Sequence, residues 1–321
     1  MQSLPLFDDP PSFDRNALAD KLRELAEQGI YLGGSSWKYE GWMGQIYTPD
    51  RYYSRGRFSK KKFEENCLTE YSETFPVVCG DFSFYQFPSP EFWAKLFGSA
   101  PTLKFGLKVP EEITVKCFPT HPRYGPKGGL DNPTFLDADL FDLAFAQPLL
   151  PYNQQVSVLI FEFGTFAKAA YPEPEQFFRE LDAFLAKLRP DFRYAVETRN
   201  ADYLVPEYFS VLKAHNVAHV FNSWTRMPPI GTQMLIAESF TTDFVVARAL
   251  LRPGRPYETA VQLFAPYATV QEELPEVRTS LKELLERARR RREPAYLFVN
   301  NRLEGNSPIT IMSIVDVEGE G

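Results

Sequence analysis

Eight short apolar runs, each closing on a polar residue, constrain this chain more than any other feature of it. They occupy residues 30–35, 76–81, 103–108, 156–162, 193–197, 217–222, 244–248 and 295–300. Most lie roughly 30–50 residues apart, about the length of one strand-plus-helix unit. The segments between them often carry helical periodicity. Phe177, Leu181, Phe184, Leu185 and Leu188 form one apolar stripe. Val277, Leu281, Leu284, Leu285 and Ala288 form another, with Pro275 suited to a first helical turn. Phe63, Cys67, Leu68 and Tyr71 make a shorter stripe behind Ser59, and residues 206–215 read as a short helix. A further helix precedes the first run. It begins near Asp14, carries Leu18, Leu22 and Leu25 on one face, and stops at Gly29. Eight strands alternating with helices is what a closed parallel barrel needs. The predicted fold is therefore α/β, a single (β/α)8 TIM-type barrel over residues 30–312. An N-terminal tail and helix (1–29) pack on it, and a C-terminal tail (313–321) follows. The 321 residues suit one such barrel with insertions.

Two segments depart from the pattern. Residues 223–242 contain Pro228, Pro229 and Gly231 and show no clean stripe, so the sixth helix is expected to be short or absent. Residues 116–136 form a Pro/Gly-rich insertion after the third strand, which places it on the C-terminal face of the barrel. It reads either as a lid or pocket wall carrying His121, Arg123, Tyr124 and Lys127, or as a solvated excursion. The sequence Gly125-Pro-Lys-Gly-Gly129 lacks the strand–loop–helix context of a phosphate loop.

Composition excludes several functions. The net charge of −7 provides no broad basic field for duplex nucleic acid, which leaves room only for a local pocket that takes a small anion. The arginine-rich stretch 287–292 reads as a solvated helix end, where cations complement the helix dipole. Cys67, Cys79 and Cys117 are odd in number and widely spaced, so neither a disulfide framework nor a Cys-rich zinc site is expected. His121, His215 and His219 lack a metal-ligand spacing. No membrane-length apolar run and no signal-peptide core at residues 1–13 are present, and a cytoplasmic protein is expected.

In a barrel of this type the strand ends converge on one face, and the loops that follow them build the site. The residues at or near those ends include Asp81, Lys108, Glu162, Glu197, Asn222, Arg248 and Asn300. Arg199 follows Glu197 at a spacing of two, so both point the same way if the strand persists. A charge left unpaired there costs several kcal/mol by order of magnitude, so partners or a ligand are required. Lys108, Arg199 and Arg248 form a set able to hold a phosphate or carboxylate. Glu197, Glu162 and Asp81 form a set able to act as acid and base. The alternative is that Glu197–Arg199 and Asp81–Lys108 are internal ion pairs that only order the mouth. Lys108 shares its strand face with Lys104 and Gly106, so the opposite face of Leu103, Phe105 and Leu107 competes to be the buried one. A carboxylate-only Mg²⁺ or Mn²⁺ site on Asp81, Glu162 and Glu197 is disfavoured by the cations nearby, and no metal or cofactor is expected. Among the aromatics that follow the first two strands, most read as core. Tyr39, Trp42 and Tyr85 are the candidates for ligand contact at the rim.

The segment Gly33-Gly-Ser-Ser-Trp-Lys-Tyr39, with Trp42 and Tyr47 after it, resembles the opening motif of the YecE-like proteins, the domain-of-unknown-function family numbered 72. Further segments are similar in order and spacing. They are Asp81 with Phe84-Tyr85 and Pro88, the strand ending in Lys108, Ala195-Val-Glu197-Thr-Arg199, the stretch 243–248 ending in Arg248, and Phe298-Val-Asn300-Asn301 with Gly305, Asn306 and Pro308. The resemblance runs from about residue 30 to about residue 312. It implies a TIM-type barrel with no established reaction. The chain departs from the family's pattern in three places: Cys79-Gly-Asp81 replaces Glu-x-Asn, Thr114-Val115 replaces Thr-His, and Glu162-Phe-Gly164 replaces Gln before a proline pair. It is a divergent member on this reading.

The expected function is an enzyme acting on a small anionic substrate, sugar- or nucleotide-like, by carboxylate acid–base chemistry. Lys108, Arg199 and Arg248 would bind the anion, Glu197 or Glu162 would move the proton, and Asn222, Asn300 and Asn301 would orient the substrate. The alternatives are a non-catalytic module that binds a metabolite or a single nucleic-acid strand through the aromatic rim, and a degenerate scaffold.

Overall fold

A computed structural model describes residues 13–316. Residues 1–12 and 317–321 lie outside it, and with them most of both expected tails. The helix Arg15–Glu27 starts where Asp14 caps it, the Asp14 carboxylate accepting from the Ala17 amide at 2.9 Å. Leu18, Leu22 and Leu25 are buried, and Gly29 leaves the helix at φ +82°.

The eight runs all form strands: β1 (Ile30–Gly34), β2 (Val77–Gly80), β3 (Lys104–Lys108), β4 (Val156–Phe163), β5 (Tyr194–Thr198), β6 (Ala218–Ser223), β7 (Val245–Ala249) and β8 (Ala295–Val299). All pairings among them are parallel, and the hydrogen-bonded order is β1-β8-β7-β6-β5-β4-β3-β2. The two end strands, β1 and β2, meet and nearly close the ring. A Cβ built on Gly33 would lie 1.8 Å from the Val77 carbonyl oxygen, so only glycine fits this seam. The Tyr71 hydroxyl bridges it, accepting from the Gly34 amide at 2.7 Å and donating to the Val77 carbonyl at 3.0 Å. The fold is a single (β/α)8 TIM-type barrel.

Period-two alternation sorts the side chains. Cys79, Val158, Ile160, Val220, Val246 and Phe298 fill the barrel, while Leu32, Phe161, Val196, Phe221, Ala247 and Leu297 join the larger core around it. On β3 both faces are buried. Phe105 and Leu107 join the outer core, and Gly106 lies beneath the Phe298 ring, 2.6 Å from where a Cβ would stand. Lys104 and Lys108 therefore share the inner face, at opposite ends of the barrel.

The helices follow the predicted stripes, with adjustments. Lys60–Ser72 is capped by Ser59, Pro206–Ala214 is short, and Pro275–Arg291 ends at a left-handed Arg292. Pro174–Leu185 stops before Leu188, which lies outside the helix. The sixth helix is reduced to Ile230–Met234. Between the insertion and β4 the chain runs as one continuous helical stretch, Ala138–Phe141, Asp142–Ala146 and Gln147–Leu149, with a π-turn at its middle segment and Pro148 inside its last one. No described helix is long and apolar enough to cross a membrane.

Candidate functional site at the C-terminal mouth

The topmost inward layer is where apolar filling gives way to charge. Register sets its level: Glu162 on β4 lies beside Glu197 on β5, and Asn222 on β6 lies beside Arg248 on β7. Asp81 and Asn300 continue the inner faces of β2 and β8, and Ser35 continues that of β1.

These groups interlock. Glu162 Oε2 receives Arg248 Nη1 at 2.6 Å, Arg199 Nη2 at 2.8 Å and Lys108 Nζ at 3.0 Å. Glu197 receives Arg248 and, at 3.1 Å, Arg199. Asp81 Oδ1 stands 3.5 Å from both Lys108 Nζ and Arg248 Nη2. Three cations thus face three carboxylates. The layer is nearly sealed, for Glu197 is fully buried and Lys108, Glu162 and Arg248 almost so. The Asp81 side chain, at 41% exposed, opens outward.

Electrostatics fixes the charge states. Burial alone would raise the Glu162 carboxyl, but Arg199, Lys108 and Arg248 together overcome it and hold it well below the usual range. Burial would lower Lys108, but Asp81 and Glu162 outweigh that effect and raise it. Arg248 is likewise raised, its desolvation overcome chiefly by Glu197. Cys79, one layer below, is pushed up to about 12 by burial and is a packed thiol rather than a nucleophile.

Aromatic rings back the cations. Lys108 Nζ sits 3.8 Å from the Phe84 ring centre, and the Arg199 guanidinium lies 3.6 Å from that of Trp224. Asn300 donates to Ser35 Oγ at 2.5 Å and accepts from the Arg302 amide at 2.8 Å. Asn222 donates to the Thr198 and Val220 carbonyls. Three buried atoms of this layer, Asp81 Oδ1, Asn222 Oδ1 and Arg248 Nε, have no hydrogen-bond partner among the described residues.

The rim holds Tyr39, half-buried between Trp42 and Tyr267. Its hydroxyl is pushed up to about 12, first by burial, with Arg302 opposing and Asp81 adding to the rise. The insertion after β3 is folded down rather than solvated throughout. Arg123 and Tyr124 both hydrogen bond Glu111, at 2.7 and 2.8 Å, and Lys127 reaches Glu112 at 3.4 Å. Arg123 also lies over the exposed ring of Tyr85, 4.6 Å from its centre.

The layer therefore brings together Asp81, Lys108, Glu162, Glu197, Arg199, Asn222, Arg248 and Asn300, with Tyr39 nearby. Two candidates sit elsewhere. Trp42 is fully buried, stacked on Tyr47 and Tyr71, and offers no face to a ligand. Asn301 opens the short helix Asn301–Glu304 and, 1% exposed, uses its Oδ1 to accept from the Ser307 amide at 2.7 Å. Sequence reasoning passed over Ser35, Phe84, Trp224 and Arg302. Ser35 was marked by the alternation of β1, since Tyr31, Gly33 and Ser35 share one face. Trp224 carried no signal, because the loop that turns it over Arg199 has no periodicity.

Solved structures of similar shape come from bacteria. A DUF72 family protein from Enterococcus faecalis V583 superposes with a TM-score of 0.57 at 15% identity, covering 91% of this chain and 97% of that one. A DUF72 family protein from Thermotoga maritima MSB8 gives 0.57 at 20% identity, covering 89% and 98%. At these identities the likeness is one of fold. No curated protein matches the chain in sequence. Residues 31–319 match the family described as "Protein of unknown function DUF72", and the chain belongs to that family.

Proposed function

We propose that the C-terminal mouth is the active site of an enzyme acting on a small anionic substrate, phosphate- or carboxylate-bearing and sugar- or nucleotide-like, by acid–base chemistry without a redox cofactor. The observation that carries this reading is the convergence of Lys108, Arg199 and Arg248 on Glu162 at 3.0, 2.8 and 2.6 Å. A barrel does not need such a layer. Buried ion clusters are often no more stable than apolar packing of similar volume, and the layers below this one are apolar. Three unsatisfied polar atoms in the same layer support a binding role.

Within this proposal the roles divide among the carboxylates by their burial and contacts. Glu162 stays ionised and anchors the cations, so it is not the acid. Glu197, fully buried between Arg199 and Arg248, positions them. Asp81 is the carboxylate that faces outward, held by two long contacts of 3.5 Å, and it is assigned the proton transfer. An incoming anion would take up Lys108 and Arg199 at this open edge.

The test is a turnover screen of phosphorylated and carboxylated sugars and nucleotides, with native mass spectrometry for copurified ligand. Asp81→Asn should abolish turnover of the substrate found while the variant stays folded, and Arg199→Gln should raise KM. Wild-type turnover by Asp81→Asn removes Asp81 from the mechanism.

One observation favours a second reading as a non-catalytic binder: the exposed Tyr85 ring with Arg123 stacked on it offers a plate for a base or sugar. Salt-sensitive oligonucleotide binding that Tyr85→Ala removes would support it, and no binding at low salt would end it.

A further inference from the structure

The opposite mouth of the barrel carries its own cavity, of about 520 Å³, within the range of small-molecule sites. We propose that it is a second binding site, for a small oxyanion of the phosphomonoester class, gripped by Lys104 and Arg193. Neither cation has an acidic partner among the described residues. The Arg193 side chain makes no hydrogen bond or ion pair among the described residues, and its guanidinium lies 5.8 Å from the Phe244 ring centre. Among the described residues Lys104 Nζ hydrogen bonds only the Gln154 carbonyl, at 3.0 Å, and sits 5.6 Å from the Tyr31 ring centre. Among the described residues the fold thus holds two like charges at one mouth without neutralising them, whereas Lys108, Arg199 and Arg248 at the opposite mouth are each paired with a carboxylate.

Two polar groups of the same cavity wait for a partner. Ser157 is 2% exposed, and its hydroxyl is buried with no hydrogen-bond partner among the described residues. Tyr296 is 3% exposed and stacks on Tyr31 at 5.4 Å between ring centres, its hydroxyl making no hydrogen bond among the described residues. The wall also contains two carboxylates. Asp191 is taken by Arg189 at 2.9 Å, and Asp243 is exposed at the edge, placed to accept from a ligand hydroxyl rather than to fill the cationic end. The composite of two cations, hydroxyl donors and one free carboxylate suits a phosphate ester of a hydroxylated compound. Lys104 is lowered by burial and by the repulsion of Arg193, a penalty that a bound dianion would reverse.

The experiment is calorimetric titration of the full chain with inorganic phosphate and with ribose 5-phosphate. Saturable binding is expected, tighter for the ester. Lys104→Gln and Arg193→Gln should each weaken it at least tenfold, Ser157→Ala less, and Lys61→Gln, on the exposed face of the helix Lys60–Ser72, should leave it unchanged. Melting curves of the variants check that each is folded. Absence of saturable binding overturns the proposal. So does wild-type affinity in Lys104→Gln and Arg193→Gln, and so does loss of binding in Arg199→Gln, which would place the anion at the C-terminal mouth instead.

Discussion

Arg248 on β7 reaches across the barrel mouth to Glu162 on β4, three strands away in the hydrogen-bonded order, and donates to it at 2.6 Å. The same Nη1 also serves Glu197 on β5. One side chain therefore ties three strands of the ring, and its removal leaves buried charge behind.

Replacing Arg248 by Met should destabilise the fold by about 3–5 kcal/mol, the usual consequence of breaking a buried pair from one side. Glu162→Gln takes one carboxylate charge away from three cations, leaving them to Glu197 and Asp81, and should destabilise similarly. Because both changes strike one network, the double variant should lose less than the two single losses combined, with a coupling of up to about 3 kcal/mol. Urea unfolding of the four proteins measures this. Additive losses would mean that the two groups do not depend on each other.

Gly106 owes its identity to Phe298. A Cβ there would stand 2.6 Å from the Phe298 ring inside the barrel. Gly106→Ala should destabilise by about 1–3 kcal/mol through overpacking. Phe298→Leu in the same chain should absorb part of that loss by giving the methyl room. If Gly106→Ala costs the same stability in the Phe298→Leu background as in the wild type, the contact is not what excludes a side chain.

The strands and the inward polar layer were legible because alternation and strand ends are local signals. Asp81, Lys108, Glu162, Glu197, Asn222, Arg248 and Asn300 each close an apolar run, and a closed ring carries them to one level. The inner face of β3 was not legible from Lys104, Gly106 and Lys108, since a barrel strand buries both faces and the glycine's partner, Phe298, is remote in sequence. Neither was the division of labour among the carboxylates. Whether Glu197 is sealed or Asp81 is open depends on which loops lie over them, and those loops have no period. Trp42 misled for the same reason, because a ring after a strand end packs inward or outward according to tertiary neighbours alone.

His219, on the outer face of β6, is lowered to about 4 by burial, with the Gln233 side chain only partly offsetting the effect. The unfolded chain takes up this proton near pH 6.5, while the folded chain resists it down to about 4. The unfolded state thus binds more protons in that window. The stability His219 contributes is complete above pH 6.5 and is lost as pH falls, by up to about 1.4 kcal/mol per unit. Depressed carboxyls such as Glu162 act lower, below their ordinary 4.5. His219→Gln should therefore flatten the fall in stability between pH 6.5 and 4.5 in denaturant titrations. Parallel curves for the two proteins would show that this imidazole is not the group responsible.

The β1–β2 seam makes the sharpest demand on one hydroxyl. Here the ring closes on a side chain, because the strands approach too closely at Gly33 for an ordinary residue. Tyr71, fully buried, satisfies one donor and one acceptor at once, the Gly34 amide and the Val77 carbonyl. Tyr71→Phe keeps the ring and its stacking on Phe75 but leaves both backbone groups buried and unpaired. Each such group costs about 1–3 kcal/mol, so the variant should lose at least about 2 kcal/mol. Hydrogen exchange adds a local readout: the Gly34 amide should exchange much faster in Tyr71→Phe, while amides of β5 and β6 change only as global stability does. If Gly34 stays protected to the wild-type degree, water or backbone movement has replaced the hydroxyl, and the seam does not rely on it.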